Sequence, residues 1–192
     1  MFKLPEEIVI FDTECTTWKG AFESGWSGLD EHRELIQLAA VRVRTRDFAE
    51  LLTYKTLVKP RRNPVLSDYC IDLTGISQKD INERGFDFAT VLQDFYQYCA
   101  DCEIYFFDKI LTRLFDMDVL IENCDLYGLK FPFNPERFHN VNEIFRQYGY
   151  TVTQSGASPE VFGIKIPARP HDALNDVRGL IISLKALSER VK

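Results

Sequence analysis

Apolar positions along this chain follow two different rhythms, and the switch between them sets out the expected elements. Ile8-Val9-Ile10-Phe11 is an uninterrupted short apolar run and predicts a strand over Glu7 to Phe11. Glu34 to Val43 carries Leu35, Ile36, Leu38, Ala39, Ala40, Val41 and Val43 and predicts a second strand. Leu51 to Val58 predicts a third, stopped by Lys59-Pro60-Arg61-Arg62-Asn63-Pro64, where proline removes ladder donors. A three-strand meander is therefore expected first.

The rhythm then changes to spacings of three and four. Phe88, Val91, Leu92, Phe95 and Cys99 predict an amphipathic helix over Phe86 to Ala100. Ile104 to Phe107 follows as a short strand and Met117 to Tyr127 as a helix, so a helix feeding a strand suggests a crossover connection. Ala173, Val177, Leu180, Ile181, Leu184 and Leu187 keep helical spacing after Pro170, a residue tolerated at a helix start but not inside one. Trp18 to Glu31 is aperiodic, mixing Gly20, Gly25 and Gly28 with Trp18, Phe22 and Trp26, and is expected to be a mobile, aromatic-bearing loop.

At 192 residues and 45% hydrophobic content, the chain is expected to form one domain over residues 1–192, of the α/β class: a mixed central sheet flanked by helices. No stretch has the roughly 20 apolar residues of a membrane span, and no signal-peptide pattern opens the chain, so a cytoplasmic setting and no membrane partner are expected. Five cysteines without framework spacing suggest reduced thiols, and the isolated Cys99-x-x-Cys102 pair fits helix packing better than zinc or redox chemistry. A net charge of −6 excludes a broad basic surface that coats nucleic acid, but not an enzyme whose carboxylates recruit cations that then receive one phosphate.

Two acidic clusters near opposite ends of the chain carry the chemistry. Asp12 and Glu14 follow the first apolar run, and residues i and i+2 of an extended chain share a face, so both carboxylates can converge on one point. His171 and Asp176 are five apart, which suits a shared site only if His171 precedes the last helix while Asp176 projects from its second turn. Carboxylate oxygens with one imidazole are the ingredients of a hard-cation site beside a general base.

Phe11-Asp12-Thr13-Glu14 and the H-x-A-x-x-D string His171 to Asp176 together resemble the first and last motifs of the DEDDh 3′→5′ exonucleases, the DnaQ-like group that includes RNase T. Aspartate at 172 excludes the tyrosine variant of that group. The middle motif of the family, an aspartate before a helix with an apolar residue four positions on, is matched by Phe115-Asp116-Met117-Asp118-Val119-Leu120, with Asp108 and Asp118 as competitors. Leu73-Thr74-Gly75-Ile76, Cys124 with Gly128, Pro132-Phe133 and Phe162-Gly163-Ile164 resemble the histone-mRNA and RNAi-associated branch, which favours RNA.

The resemblance implies a ribonuclease H-like fold and two-metal phosphodiester hydrolysis. Asp12 would bridge two cations, Glu14 and Asp176 would complete the water-activating site, Asp116 would hold the leaving-group cation and His171 would act as base. All-oxygen ligation selects Mg²⁺ or Mn²⁺ over zinc. Thr13 and Thr16 would lie beside the terminal sugar of a single-stranded RNA or DNA 3′ end, Ile76 against its base, and Trp18 could stack on a base. Arg61 and Arg62 fit a solvated turn better than a phosphate track. The rivals are a catalytically inactive nucleic-acid- or protein-binding module on the same fold, and a hydrolase of nucleotides or small phosphoesters.

Overall fold

The computed structural model describes residues 3–109, 115–166 and 171–191. A five-stranded sheet forms its centre, in the order β3-β2-β1-β4-β5. β1 (Glu7–Cys15), β2 (Leu35–Arg44) and β3 (Ala49–Leu57) form the expected antiparallel meander. β4 (Glu103–Phe106) returns parallel to β1 after helix α4 (Phe88–Cys99), which is the crossover. β5 (Phe138–Asn140) adds a second parallel pair on β4.

Because β1 lies at the centre, alternate side chains feed two cores. Val9 and Phe11 pack with Phe88, Val91 and Phe95 of α4 and with Val119 and Leu120 of α5 (Phe115–Tyr127). Ile8 and Ile10 pack with Val177, Leu180, Ile181 and Leu184 of the last helix, Ala173–Arg190. Helices on both faces explain why the first run reads as continuously apolar rather than alternating.

One strand runs further than the sequence pattern predicts, and one segment expected to be a loop contains a helical turn. β1 continues through Asp12, Thr13 and Glu14 to Cys15, paired with β2 as far as Leu35. Its polar stretch therefore belongs to the sheet, and the hydrophobic pattern breaks off at Phe11 because Asp12 and Glu14 face a site and not a core, although Cys15 at the very end packs in the core again. The segment from Trp18 to Glu31 contains one helical turn, α1 (Ala21–Ser24), bounded by left-handed Gly20 and Gly25. The Trp26 indole N–H donates to the Thr16 carbonyl at 2.9 Å, which ties this segment to the end of β1.

Short elements escape the periodicity test altogether. α2 (Asp68–Thr74) and α3 (Gln78–Arg84) are seven residues each, too short to display an apolar stripe, yet Ser67 and Ser77 cap their first amides. α6 (Val141–Gln147) is capped by Asn140 in the same way. The last helix is α7, and its N-cap is Asp172; Pro170, expected at its start, lies outside the described residues. Asp176 falls in the first turn of α7, not the second. Among the described residues no helix is long and apolar enough to cross a membrane.

Candidate active site

The carboxyl end of β1 outruns its neighbour β4, whose pairing with β1 ends at Ile10 and Tyr105. Thr13 therefore keeps an unladdered amide on that side, and α5 supplies its acceptor. Asp116 Oδ1 receives the Thr13 N–H at 3.0 Å and the Thr13 hydroxyl at 2.5 Å. The aspartate before Met117 is thereby drawn to the strand end, where it is 2% exposed.

Asp12 and Glu14 are both buried and lie on the α7 face of the sheet, continuing the Ile8 and Ile10 series. β2 and β3 place the start of α7 against them. Gln37, opposite Glu14 in the β1–β2 register, accepts the Ala173 N–H through Oε1 at 2.9 Å. Lys55 Nζ of β3 meets Asp172 Oδ2 at 2.6 Å, while Asp172 Oδ1 caps the Asn175 amide. His171 turns the chain into the helix in the left-handed region, at φ 59, a conformation uncommon for a residue with a β-carbon. Ligand atoms of Glu14, His171 and Asp176 come within 4.8 Å of one another.

Electrostatically this cluster is under load. Asp12 and Glu14 are raised well above the usual carboxylate range, first by burial and then by repulsion from Asp116 and Asp176. Burial pushes Asp116 up to about 7, against the opposing hydrogen bonds from Thr13. Asp176 also rises to about 7 through burial, opposed by hydrogen bonds from the His171 backbone and the Ser155 side chain. One oxygen of Asp176, Oδ1, is buried with no hydrogen-bond partner among the described residues. Buried polar atoms are normally satisfied, so an orphaned carboxylate oxygen among mutually repelling carboxylates fits a site completed by a cation.

Asp108 takes a different position. Its carboxylate accepts the Phe115 N–H at 3.2 Å, at the start of α5, and its carbonyl is held by Asn140 and Asn142. It adds repulsion to Asp116. Asp118 is half-buried and borders a surface hollow with Phe22, Trp26 and Arg33.

The residues expected at the substrate are placed unevenly. Ile76 is buried at the end of α2 and lines a groove with Gln37, Lys55, Phe86 and Asp172, next to the His171 turn. The Thr16 hydroxyl donates to the His32 carbonyl and receives the Glu34 amide, so it braces the 32–34 segment. Trp18 is half-buried beyond β1. It is Trp26 that joins Phe22 and Phe115 in an aromatic group, with the Arg33 guanidinium over Trp26 and Phe115.

Arg61 and Arg62 belong to a turn held from below. Their amides and that of Asn63 donate to the carboxylate of Glu34, which is fully buried and also accepts the Tyr127 hydroxyl. The Arg61 side chain pairs with Asp87 at 2.8 Å. Nothing in the sequence pattern around Glu34 marks it as buried, because its partners come from distant backbone. All five cysteines are free and buried, and burial pushes the Cys99 thiol up, away from the reactive range.

A protein-family model described as Exonuclease (RNase_T) matches residues 9–183, which reach from the first apolar run into α7. Human 3′-5′ exoribonuclease 1 is 27% identical over 181 residues, covering 90% of this chain and 50% of that protein. The chain thus spans about half the length of such relatives. The Drosophila melanogaster 3′-5′ exonuclease Snipper is 21% identical over 191 residues, 90% of this chain and 66% of that one. The solved nuclease domain of 3′hExo, a DEDDh family member bound to rAMP, superposes with a TM-score of 0.78 at 24% identity, covering 96% of this chain and 92% of its own. At that identity the superposition establishes the shared ribonuclease H-like fold.

Proposed function

We propose, from the premise that the chain belongs to the RNase_T exonuclease family, that it removes nucleotides from the 3′ end of single-stranded nucleic acid, RNA in preference to DNA, and releases nucleoside 5′-monophosphates. The observation that carries this reading is the meeting of Asp12 and Glu14 from β1, Asp116 from α5 and His171 with Asp176 from α7 at one strand end. Such a cluster has little structural merit of its own, since burial and mutual repulsion both disfavour its ionised form. Its oxygen donors and the orphaned Asp176 Oδ1 suit two divalent cations, Mg²⁺ or Mn²⁺. When bound, these would supply Lewis-acid activation of water and neutralisation of the leaving oxygen.

Within that scheme Asp12, Glu14, Asp116 and Asp176 would hold the cations, and Asp116 rather than Asp108 is assigned the third place because Thr13 anchors it to β1. His171 takes the proton of the attacking water at a ring nitrogen, a role supported by that ring's place within 4.8 Å of ligand atoms of Glu14 and Asp176. Thr13 and Thr16 shape the wall beside the terminal sugar, with Ile76 against the base and Trp18 available for stacking. The RNA preference is supported by the human relative, named an exoribonuclease, and by a superposable 3′-exonuclease solved in recognition of a histone mRNA stem-loop. The single exonuclease domain over residues 1–192 and a reducing, cytoplasmic setting belong to the same proposal, the latter supported by five free buried thiols.

Digestion of 5′-labelled and 3′-labelled RNA and DNA oligomers, with Mg²⁺, with Mn²⁺ and with chelator, tests it. A metal-dependent ladder shortening from the 3′ end, faster on RNA, is expected. Internal cleavage, 5′ polarity or undiminished activity in chelator would overturn it.

A further inference from the structure

The Ser155-Gly156 segment lies directly against the Asp176 end of α7, and it does so through two glycines. A β-carbon on Gly179 would lie 3.1 Å from the Ser155 carbonyl and 3.3 Å from that of Gly156, so the missing side chain at 179 lets the segment settle onto the helix. A β-carbon on Gly156 would lie 2.1 Å from Asp176 Oδ1 and 3.1 Å from its Cγ. Gly156 does not have the positive φ that would itself require glycine, unlike Gly149 and Gly163 on either side of it. Its backbone lies outside the left-handed region, so what the position demands is room for a carboxylate.

We infer that Gly156 is a positioning residue for the Asp176 carboxylate, setting where that carboxylate sits in the cation site; this rests on the exonuclease reading above. The Ser155 side chain and the His171 backbone hold the carboxylate by hydrogen bonds, and Gly156 leaves the volume into which Oδ1 is turned. A methyl group at 156 drives Oδ1 back by more than an ångström, since ordinary contact begins at 3.4 Å. Functional constellations tolerate displacements of only about 0.5 Å, and losing a group that orients a ligand typically weakens metal binding by about 10- to 100-fold.

Gly156→Ala is therefore expected to need at least about tenfold more Mn²⁺ than the wild type for an equal rise in melting temperature, following that range. Turnover on an RNA oligomer at fixed Mn²⁺ falls, while the KM for the oligomer stays within about twofold, because no substrate contact is touched. If Gly156→Ala melts early without metal, the same substitution in an Asp176→Ala background decides the matter. The penalty disappears there if the methyl group acts on the carboxylate. A Mn²⁺ titration overlaying that of the wild type, or an equal penalty without Asp176, overturns the role of Gly156. A wild type with no response to Mn²⁺ in melting or in turnover overturns the exonuclease reading, and this inference with it.

Discussion

Thr13→Val isolates one hydrogen bond inside the acidic cluster. Valine matches threonine in shape and keeps the backbone N–H that reaches Asp116 at 3.0 Å, so only the hydroxyl donor at 2.5 Å is lost. That donor holds down an acid which burial has already pushed to about 7. A hydrogen bond to a charged group is worth about 1.5–3 kcal/mol, and one pKa unit corresponds to about 1.4 kcal/mol, so Asp116 should climb by roughly one to two units. At pH 7 its ionised fraction then drops from about a half to between about a tenth and a hundredth, which raises the Mg²⁺ needed for half-maximal hydrolysis by roughly 5- to 50-fold. The deficit should close as pH approaches 9, where the carboxylate ionises again. The assay is a Mg²⁺ titration of oligomer hydrolysis at several pH values. A deficit of equal size at pH 7 and pH 9, or one that appears in the KM for the oligomer instead, refutes this account and assigns the Thr13 hydroxyl to the substrate and not to Asp116.

Asp116→Asn should abolish metal-dependent hydrolysis, whereas Asp108→Asn should retain most of it and lower the melting temperature through the weakened bond to the Phe115 amide; the reverse ranking would move the third carboxylate to Asp108. His171→Ala should depress turnover by about 10²- to 10⁴-fold while leaving Mn²⁺ binding within a few-fold, as expected for a base that is not a principal ligand, and an unchanged rate sinks its role. Metal-free stability should fall as pH rises from about 4 to about 7. Asp116 and Asp176, at about 7 when folded against 3.8 ordinarily, bind more protons folded than unfolded across that window, so their contribution is complete at low pH and drains away as they ionise. Melting curves in chelator check this, and the fall should flatten in the Asp116→Asn/Asp176→Asn double variant. Glu34→Gln should cost about 3 kcal/mol, or roughly 6–12 °C in melting temperature for a chain of this size, because three amides and a hydroxyl converge on that buried carboxylate. A loss under about 1 kcal/mol by calorimetry would show that the turn finds other acceptors.

The long elements were legible because burial imprints a period on them. β1 sits between two helical layers and shows an unbroken apolar run, while α4 and α7 each bury one stripe and show spacings of three and four. The pattern fails where a side chain serves something other than a core. Asp12, Thr13 and Glu14 continue β1 with polar residues because that end of the strand meets the carboxylate cluster. α2 and α3 are too short to show a stripe, although Ser67 and Ser77 with Asp80 offered capping signals. The helical turn in the aromatic loop escapes the pattern for a related reason: it is four residues long, and the segment's tie to β1 is one indole N–H on a backbone carbonyl, which has no periodic trace.

By itself the sequence determined the order of the long strands and helices and the pairing of Asp12-Thr13-Glu14 with the string from His171 to Asp176, because each of these is local or repeats at a fixed spacing. Only the tertiary structure decided which middle acid turns toward the strand end. Asp108 and Asp116 are eight positions apart, and the choice depends on β4 ending before β1 does, which leaves the Thr13 amide for α5 to satisfy. The tertiary structure likewise brought Gln37 and Lys55 to the start of α7 and Gly156 to the face of Asp176. Contacts between residues far apart in the chain carry no spacing to read; they exist only once the sheet has set the distance between its strands and the helices have packed upon it.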